Sequence, residues 1–454
     1  LTESGKKKNF PIEDSFIKLV KSFYIKNPFF FDKNKIWWLW NKKNFSWEVI
    51  DIYDLHVLLN DILPEDYNMT KSGVLSEINS SLKIVGRKRQ PKESPIRWIQ
   101  FKDKAYSLRS GKLHDITPDY FFTNPIPWEL GEKTDTPFMD KFFEEWVGKE
   151  YVPVLYELLA YACYRKYTIQ TLTCLHGSGR NGKSCFLNVL TNFIGQPNCC
   201  STSLDLLASK SGSRFESFKL YKKLICLMGE TNFNALENTD IFKKLVGDDM
   251  LGFEKKRADA FDGYNYAKIV IASNSLPPST DDTDGFYRRW NIVKFPNEFP
   301  EGEDIVAKIP AQEYKNLAKK CIEILPKLLK RKKFTKQGTI EERKKAYIEI
   351  SNPLPLFLEK YCFRDEENVN CFISLTYIFN EYLKYLARIK IRRIKRKEFY
   401  MALEDEGLMF ERTKKLVNPE AKNPSDRFVQ GYWIYGIKMK DNYKKLLEEE
   451  KNEK

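Results

Sequence analysis

The sequence predicts an α/β protein. A parallel sheet occupies the middle of the chain, a mixed α/β and helical region precedes it, and three short helices with a β-ribbon follow. Three observations predict this. Between residues 166 and 300, short apolar β-branched runs alternate with stretches of helical spacing, as in strands covered by helices. Inside that region Gly177-Ser178-Gly179-Arg180-Asn181-Gly182-Lys183-Ser184 fits the pattern G-x-x-x-x-G-K-S/T without departure, between a predicted strand and a predicted helix. From Asn352 onward Pro353 and Pro355 mark a new unit. The boundaries read 1–120 (mixed α/β), 121–165 (helical), 166–300 (central sheet), 301–350 (helical, basic) and 351–454 (helices and ribbon).

At the start, Ile36-Trp37-Trp38-Leu39-Trp40 and Phe45-Ser46-Trp47 predict two strands around the turn Asn41-Lys42-Lys43-Asn44. Asp54 is the expected N-cap of a helix through Leu59. Trp98–Phe101 and Ala105–Leu108 bracket Lys102-Asp103-Lys104 as a second hairpin. Aromatic residues beside lysines can stack nucleobases, or can simply form core beneath snorkelling stems. Apolar positions recur at helical spacing from Phe138 to Trp146 and from Val154 to Tyr164.

Thr168–Leu175 reads as a buried strand and Cys185–Leu190 as the start of a helix. The glycines of the intervening loop let N–H groups converge on phosphate oxygens, and the helix N-terminus adds positive potential. Lys183 is expected at the β/γ-phosphates and Ser184 on Mg²⁺. These residues therefore imply a bound nucleoside triphosphate, with ATP and Mg²⁺ as cofactors.

Lys223–Gly229 is a second apolar strand ending at Glu230, the candidate base for water activation and a candidate metal ligand. Ala267–Ser273 is a third, closing on Asn274, whose amide can sense a γ-phosphate or start the turn before Pro277-Pro278. Arg288-Arg289 follow. A guanidinium suits a finger inserted into a neighbour's site, but adjacent residues on a strand cannot both point the same way. Lys255-Lys256-Arg257 forms a short basic tract suited to a DNA backbone or to plain solvation. Asp281, Asp282 and Asp284 read as turn residues. Beyond Pro353, helices are expected at 354–361, 373–386 and 395–406, then strands near Phe410 and Tyr432–Tyr435, the order of a winged helix.

The bulk numbers agree. The 454 residues imply several cores, and 76 Lys+Arg against 62 Asp+Glu give +14, a balance suited to a polyanionic partner. No apolar run approaches a membrane span, and no signal-peptide core opens the chain. Nine scattered cysteines without C-x-x-C and three separated histidines (His56, His114, His176) indicate neither a zinc site nor a disulfide framework. A reduced, cytoplasmic setting is expected. The start at Leu1 suggests a piece of a longer polypeptide.

Taken together, these motifs resemble the superfamily 3 helicases, in the branch of poxvirus-type and phage/plasmid-type primase-helicases. The matching residues are Gly229-Glu230-Thr231, Phe242-Lys243-Lys244-Leu245, Gly247-Asp248, Glu254 to Arg257, Ser273-Asn274, Asp284 and Tyr287-Arg288-Arg289-Trp290. Thr117-Pro118-Asp119-Tyr120-Phe121-Phe122-Thr123-Asn124 is similar to that branch's helical domain ahead of the ATPase. The resemblance implies a P-loop, AAA+-like ATPase core with a winged-helix-like C-terminal domain, assembled as a homo-hexameric ring. It also implies ATP between subunits, single-stranded DNA from a fork threading a channel lined by Lys255, Lys256 and Arg257, and an upstream primase-polymerase domain. One departure is that Glu230 stands alone where many relatives carry paired acids. A DNA-binding ATPase that only switches origin assembly would use the same catalytic groups, whereas a small-molecule kinase on the same loop would need an acceptor pocket and no neighbour arginine.

Overall fold

The computed structural model describes residues 12–63, 72–208, 213–229, 239–255, 259–277, 279, 281–300, 302, 304–365, 368, 371–389, 391, 393–416 and 428–443. It is a mixed α/β structure with several sheets. No helix among these residues is long and apolar enough to cross a membrane.

Helix α1 (Ile12–Lys26) buries Phe16, Val20 and Phe23, spaced to form one stripe. Strands β1 (Phe29–Phe31), β2 (Trp37–Asn41) and β3 (Ser46–Ile50) form an antiparallel sheet. The predicted turn joins β2 to β3, with Asn41 Oδ1 accepting from the N–H of Lys43 (2.9 Å) and Asn44 (3.1 Å). Helix α2 (Ile52–Asn60) is capped by Asp51 rather than by Asp54. Asp51 accepts from Tyr53 N while Asp54, at N3, accepts from Asp51 N, so the expected cap is the reciprocal half of a capping box. Helix α3 (Ser72–Arg87) closes this core against α1.

Five short strands follow: β4 (Lys92–Glu93), β5 (Trp98–Phe101), β6 (Lys104–Ser107), β7 (Leu113–Asp115) and β8 (Tyr120–Phe121). Of the two readings of the aromatic cluster, core holds for Trp38 and Trp47, which are each 1% exposed and pack around Phe30 and Phe121. The Thr117–Asn124 motif is not helical. It forms β8 and an extended segment.

Helices α4 (Pro137–Val147) and α5 (Val152–Ala162) lead to the central sheet. Its strands are β9 (Leu172–His176), β10 (Cys199–Ser201), β11 (Ile225–Met228), β14 (Lys268–Ser273) and β15 (Trp290–Lys294), in the order β10-β11-β14-β9-β15 with every neighbour parallel. Leu175, Ile225, Val270 and Val293 face one core; Leu172, Cys174, Cys226, Ile269 and Ile271 face the other. A sheet covered on both faces needs such continuous apolar runs. Strand β9 begins four residues later than the sequence suggests. Tyr161 OH donates to Ile169 O (3.0 Å) and accepts from Ile169 N (2.8 Å), so a side chain replaces the neighbouring strand there.

Between these strands lie α6 (Lys183–Ile194), α7 (Leu204–Ala208), α8 (Ser213–Phe218), α9 (Thr239–Leu245), the antiparallel hairpin β12 (Met250–Phe253) and β13 (Phe261–Tyr264), and α10 (Asp284–Tyr287). Helix α11 (Ala311–Arg331) packs on α5, and α12 (Ile340–Ser351) packs by α10 and β15. The last unit has its own core. It runs α13 (Leu354–Tyr361), β16 (Cys362–Arg364), β17 (Phe372–Ser374), α14 (Leu375–Arg388), α15 (Arg396–Asp405), β18 (Phe410–Leu416), β19 (Phe428–Tyr435) and β20 (Ile437–Met439). The helix expected from 373 starts at Leu375, because Phe372–Ser374 pairs with Tyr435–Trp433 in a sheet ordered β17-β19-β18.

Candidate functional site

The chain leaves β9 toward β10 at one edge of the sheet, whereas from β14 it crosses β9 to β15 at the other. Connections therefore diverge beside the carboxyl end of β9, the place where open parallel sheets bind ligands. The Gly177–Ser184 loop sits there, and α6 starts at Lys183.

Two glycines in the loop are required by space. Gly182 has φ +87°, and a Cβ there would stand 2.5 Å from the Trp146 ring. A Cβ on Gly177 would stand 2.7 Å from Phe295 O and collide with the Asn181 amide. Asn181 is buried and its Nδ2 donates to Phe295 O at 3.2 Å, fastening the loop to the end of β15. Phe299 N donates to Arg180 O (2.7 Å) and Ser178 Oγ to Glu298 (2.7 Å), a second fastening.

Lys183 folds back over its own loop. Its Nζ donates to Gly177 O (2.6 Å), Asn181 Oδ1 (2.9 Å) and Asn274 Oδ1 (3.1 Å). The loop lysine and the amide at the tip of β14 are thus brought together, as the sequence places them. Ser273 Oγ, not the Asn274 side chain, accepts from Ser275 N and starts the following turn (3.2 Å). Ser184 is exposed on the first turn of α6. A cleft of about 720 Å³ opens over this group, floored by Gly179–Cys185, Gly229 and Ala272 and walled by Phe142, Trp146, Phe299 and Ile305. Backbone N–H groups at a helix start beside an apolar wall suit a ligand with an anionic end and a flat apolar end.

Gly229, beyond β11, lines the same cleft, so that strand ends at it. Glu230 itself lies outside the described residues, as do Lys256 and Arg257. Lys255 is exposed beyond β12, in the connection between β12 and β13, whose register pairs Phe253 with Phe261. No group of three or more His, Cys, Asp or Glu side chains among the described residues could hold a metal ion.

The tandem arginines lie at the other end of the sheet. Leu172 N, at the start of β9, donates to Arg289 O (2.9 Å), whereas the loop follows the end of that strand. Five residues of strand put about 15 Å between them. The two side chains also differ. Arg289 is buried, with Nη1 on Gly285 O and Nε without a partner among the described residues. Burial, then the Arg288 charge, holds its guanidinium below the usual arginine range. Arg288 is half-buried, with Nη1 donating to Gln170 Oε1 (3.1 Å) and its carbonyl accepting from Arg343 Nη1 (2.5 Å).

Three residues around the loop escape sequence reasoning: Trp146, which excludes any side chain at Gly182; Glu298, which accepts from Ser178; and His176. His176 ends β9, is buried, and has Nδ1 without a partner among the described residues. Burial, then the Lys294 and Lys183 charges, pulls its imidazole down to about 4. Only its position immediately before Gly177 could have singled it out.

A family model described as a family of unknown function, DUF5906, matches residues 175–289, which is less than half of the chain. Among solved structures, the A form apo structure of the NrS-1 C-terminal region is similar at 16% identity and a TM-score of 0.49, covering 86% of this chain and 86% of that chain. The apo structure of NrS-1 C-terminal residues 305–718 gives 16% identity and a TM-score of 0.49, covering 89% and 88%. Likeness at this level bears on neither chemistry nor partners.

Proposed function

We propose that the chain is an ATP-driven DNA-unwinding motor with a P-loop, AAA+-like core and a winged-helix-like C-terminal domain. The observation that carries this reading is the Lys183–Asn274 contact inside a glycine loop at the point where the sheet's connections diverge. That arrangement joins a phosphate-binding lysine to a group able to report on the terminal phosphate.

ATP binds with its phosphates on the N–H groups of Gly177–Ser184 and its base against the Phe142 and Trp146 wall. Lys183 exchanges its carbonyl and amide partners for phosphate oxygens, which loosens its tether to Asn274. A bound Mg²⁺ would neutralise charge on the β- and γ-phosphates. The Ser184 hydroxyl and the Glu230 carboxylate would hold it. Glu230 takes a proton from water as the water oxygen bonds to the γ-phosphorus and the bond to the ADP oxygen breaks.

Stabilising charge comes from a neighbouring subunit in a homo-hexameric ring. Arg288 is the better finger, because the Arg289 guanidinium is committed to its own fold. Lys255, Lys256 and Arg257 line the channel that grips single-stranded DNA. The test is forked-DNA separation by the wild type, Lys183→Ala and Glu230→Gln. Separation by the wild type alone, with nucleotide binding retained in Glu230→Gln, supports the motor. DNA-stimulated hydrolysis without separation would make the ATPase an assembly switch instead.

A further inference from the structure

A second cleft, of about 760 Å³, lies where the turn between β2 and β3 meets the residues leading into β11. It is at the amino ends of the central strands, the far edge of the sheet from the Gly177–Ser184 loop. Its rim carries Lys43, Lys102, Lys219, Lys222 and Lys223, with Glu48 the one acidic residue of the lining. Beside the rim, Lys102 pairs with Glu129 (2.6 Å) and Lys219 with Glu216 (2.8 Å). Both Asn41 Nδ2 (3.0 Å) and Asn44 Nδ2 (2.9 Å) already donate to Glu48. Apolar surface comes from Pro125, Pro127 and Pro197 and from the half-buried rings of Phe218 and Tyr221, which stack at 5.7 Å.

This cleft is built rather than incidental. Lys222 holds φ 56°, a conformation that side chains rarely adopt. Asn124 pins it there: its Nδ2 donates to Lys222 O (2.8 Å) and Asn198 Oδ1 (3.1 Å), and its Oδ1 accepts from Tyr266 OH (3.0 Å). The last residue of the Thr117–Asn124 motif, which the motor leaves without a role, thus shapes the cleft. The Lys222 ammonium lies 4.8 Å from the Phe121 ring and 5.7 Å from the Tyr221 ring and pairs with no carboxylate among the described residues. Burial pulls it below the usual lysine range. Strain and an unpaired cation both cost free energy, and they recur where a ligand repays them.

We propose that this cleft is a second binding site for single-stranded nucleic acid, separate from the basic tract at Lys255. Backbone phosphates run along the lysine rim and bases lie on the proline and aromatic surface, the combination that grips an unpaired strand without reading its sequence. A duplex keeps its base faces stacked and cannot use that surface.

The test measures a fluorescein-labelled oligothymidylate by anisotropy across a salt series, without nucleotide, so that the result does not depend on the motor. The double variant Lys43→Gln/Lys102→Gln changes two rim residues that hold no core contact. It should bind about tenfold more weakly, and the salt slope should fall by about 1.4, since each lysine contributes about 0.7. Iodouracil-containing strands should crosslink to peptides spanning 43–49 or 218–223. Wild-type affinity and slope in the double variant, or crosslinks confined to 254–260, would overturn the proposal. So would equal displacement by blunt duplex or by polyglutamate, which would make the cleft a general anion trap.

Discussion

Arg288 and Arg289 share a chemistry and a neighbourhood in sequence, yet burial separates their roles. Removing Arg289 leaves Gly285 O and a packed hole unsatisfied. Arg289→Ala should therefore cost about 2 kcal/mol of stability, read as a lowered melting temperature. Arg288→Ala should melt like the wild type and lose 10²-fold or more, on the order of known arginine fingers, in DNA-stimulated ATPase rate. His176 gives the protein an acid limit. Its pKa is about 4 in the fold against an ordinary 6.5, so between those values the unfolded chain holds a proton that the folded chain does not. Stability is full above pH 6.5 and falls as pH drops toward 4, by up to about 3 kcal/mol from this residue. Denaturant titrations at pH 7.5, 6 and 5 should show that loss, and His176→Gln should flatten it. Lys183 and Asn274 were legible from sequence because strand–loop–helix patterning fixes their positions. Trp146, Glu298 and the differing burial of the two arginines were not, because tertiary contacts such as Trp146 with Gly182 and Glu298 with Ser178 leave no local signature.

Elements whose partners are local read well. The turn at Asn41–Asn44 and helices α4 and α13 follow from periodicity and turn chemistry. Misreadings arise where a distant group substitutes for a local one. Residues 168–171 look like strand, but Ile169 bonds the Tyr161 hydroxyl instead of a neighbouring strand, and residues 373–374 look helical but pair with β19. The Thr117–Asn124 segment is the strongest case: its role is to lock the backbone of Lys222 and the buried Asn198 from outside the sheet. Asn124→Leu would leave Lys222 O, Asn198 Oδ1 and Tyr266 OH short of a partner. It should cost about 3 kcal/mol at roughly 1 kcal/mol per orphaned group, measurable by urea titration, and loosen the 219–223 turn in hydrogen exchange.

At the scale of the whole molecule, the proposed motor depends on how the two ends of the sheet would meet in an assembly. The Gly177–Ser184 loop is at its carboxyl edge and Arg288 at its amino edge, so within one chain they face apart. A finger at that distance completes a site only through a head-to-tail contact, in which unlike edges of successive copies meet and a ring closes. A mixture of two inactive variants separates this arrangement from any single-chain mechanism. Lys183→Ala retains its finger and Arg288→Ala retains its loop. In randomly mixed rings about a quarter of interfaces join an intact loop to an intact finger. ATP hydrolysis should therefore reappear on mixing, rise to roughly that fraction per site, and vanish on dilution as the rings dissociate. If Arg288 served the loop of its own chain, every site in the mixture would lack one group or the other. The mixture would then be as inactive as its components, and the ring would have no part in the chemistry.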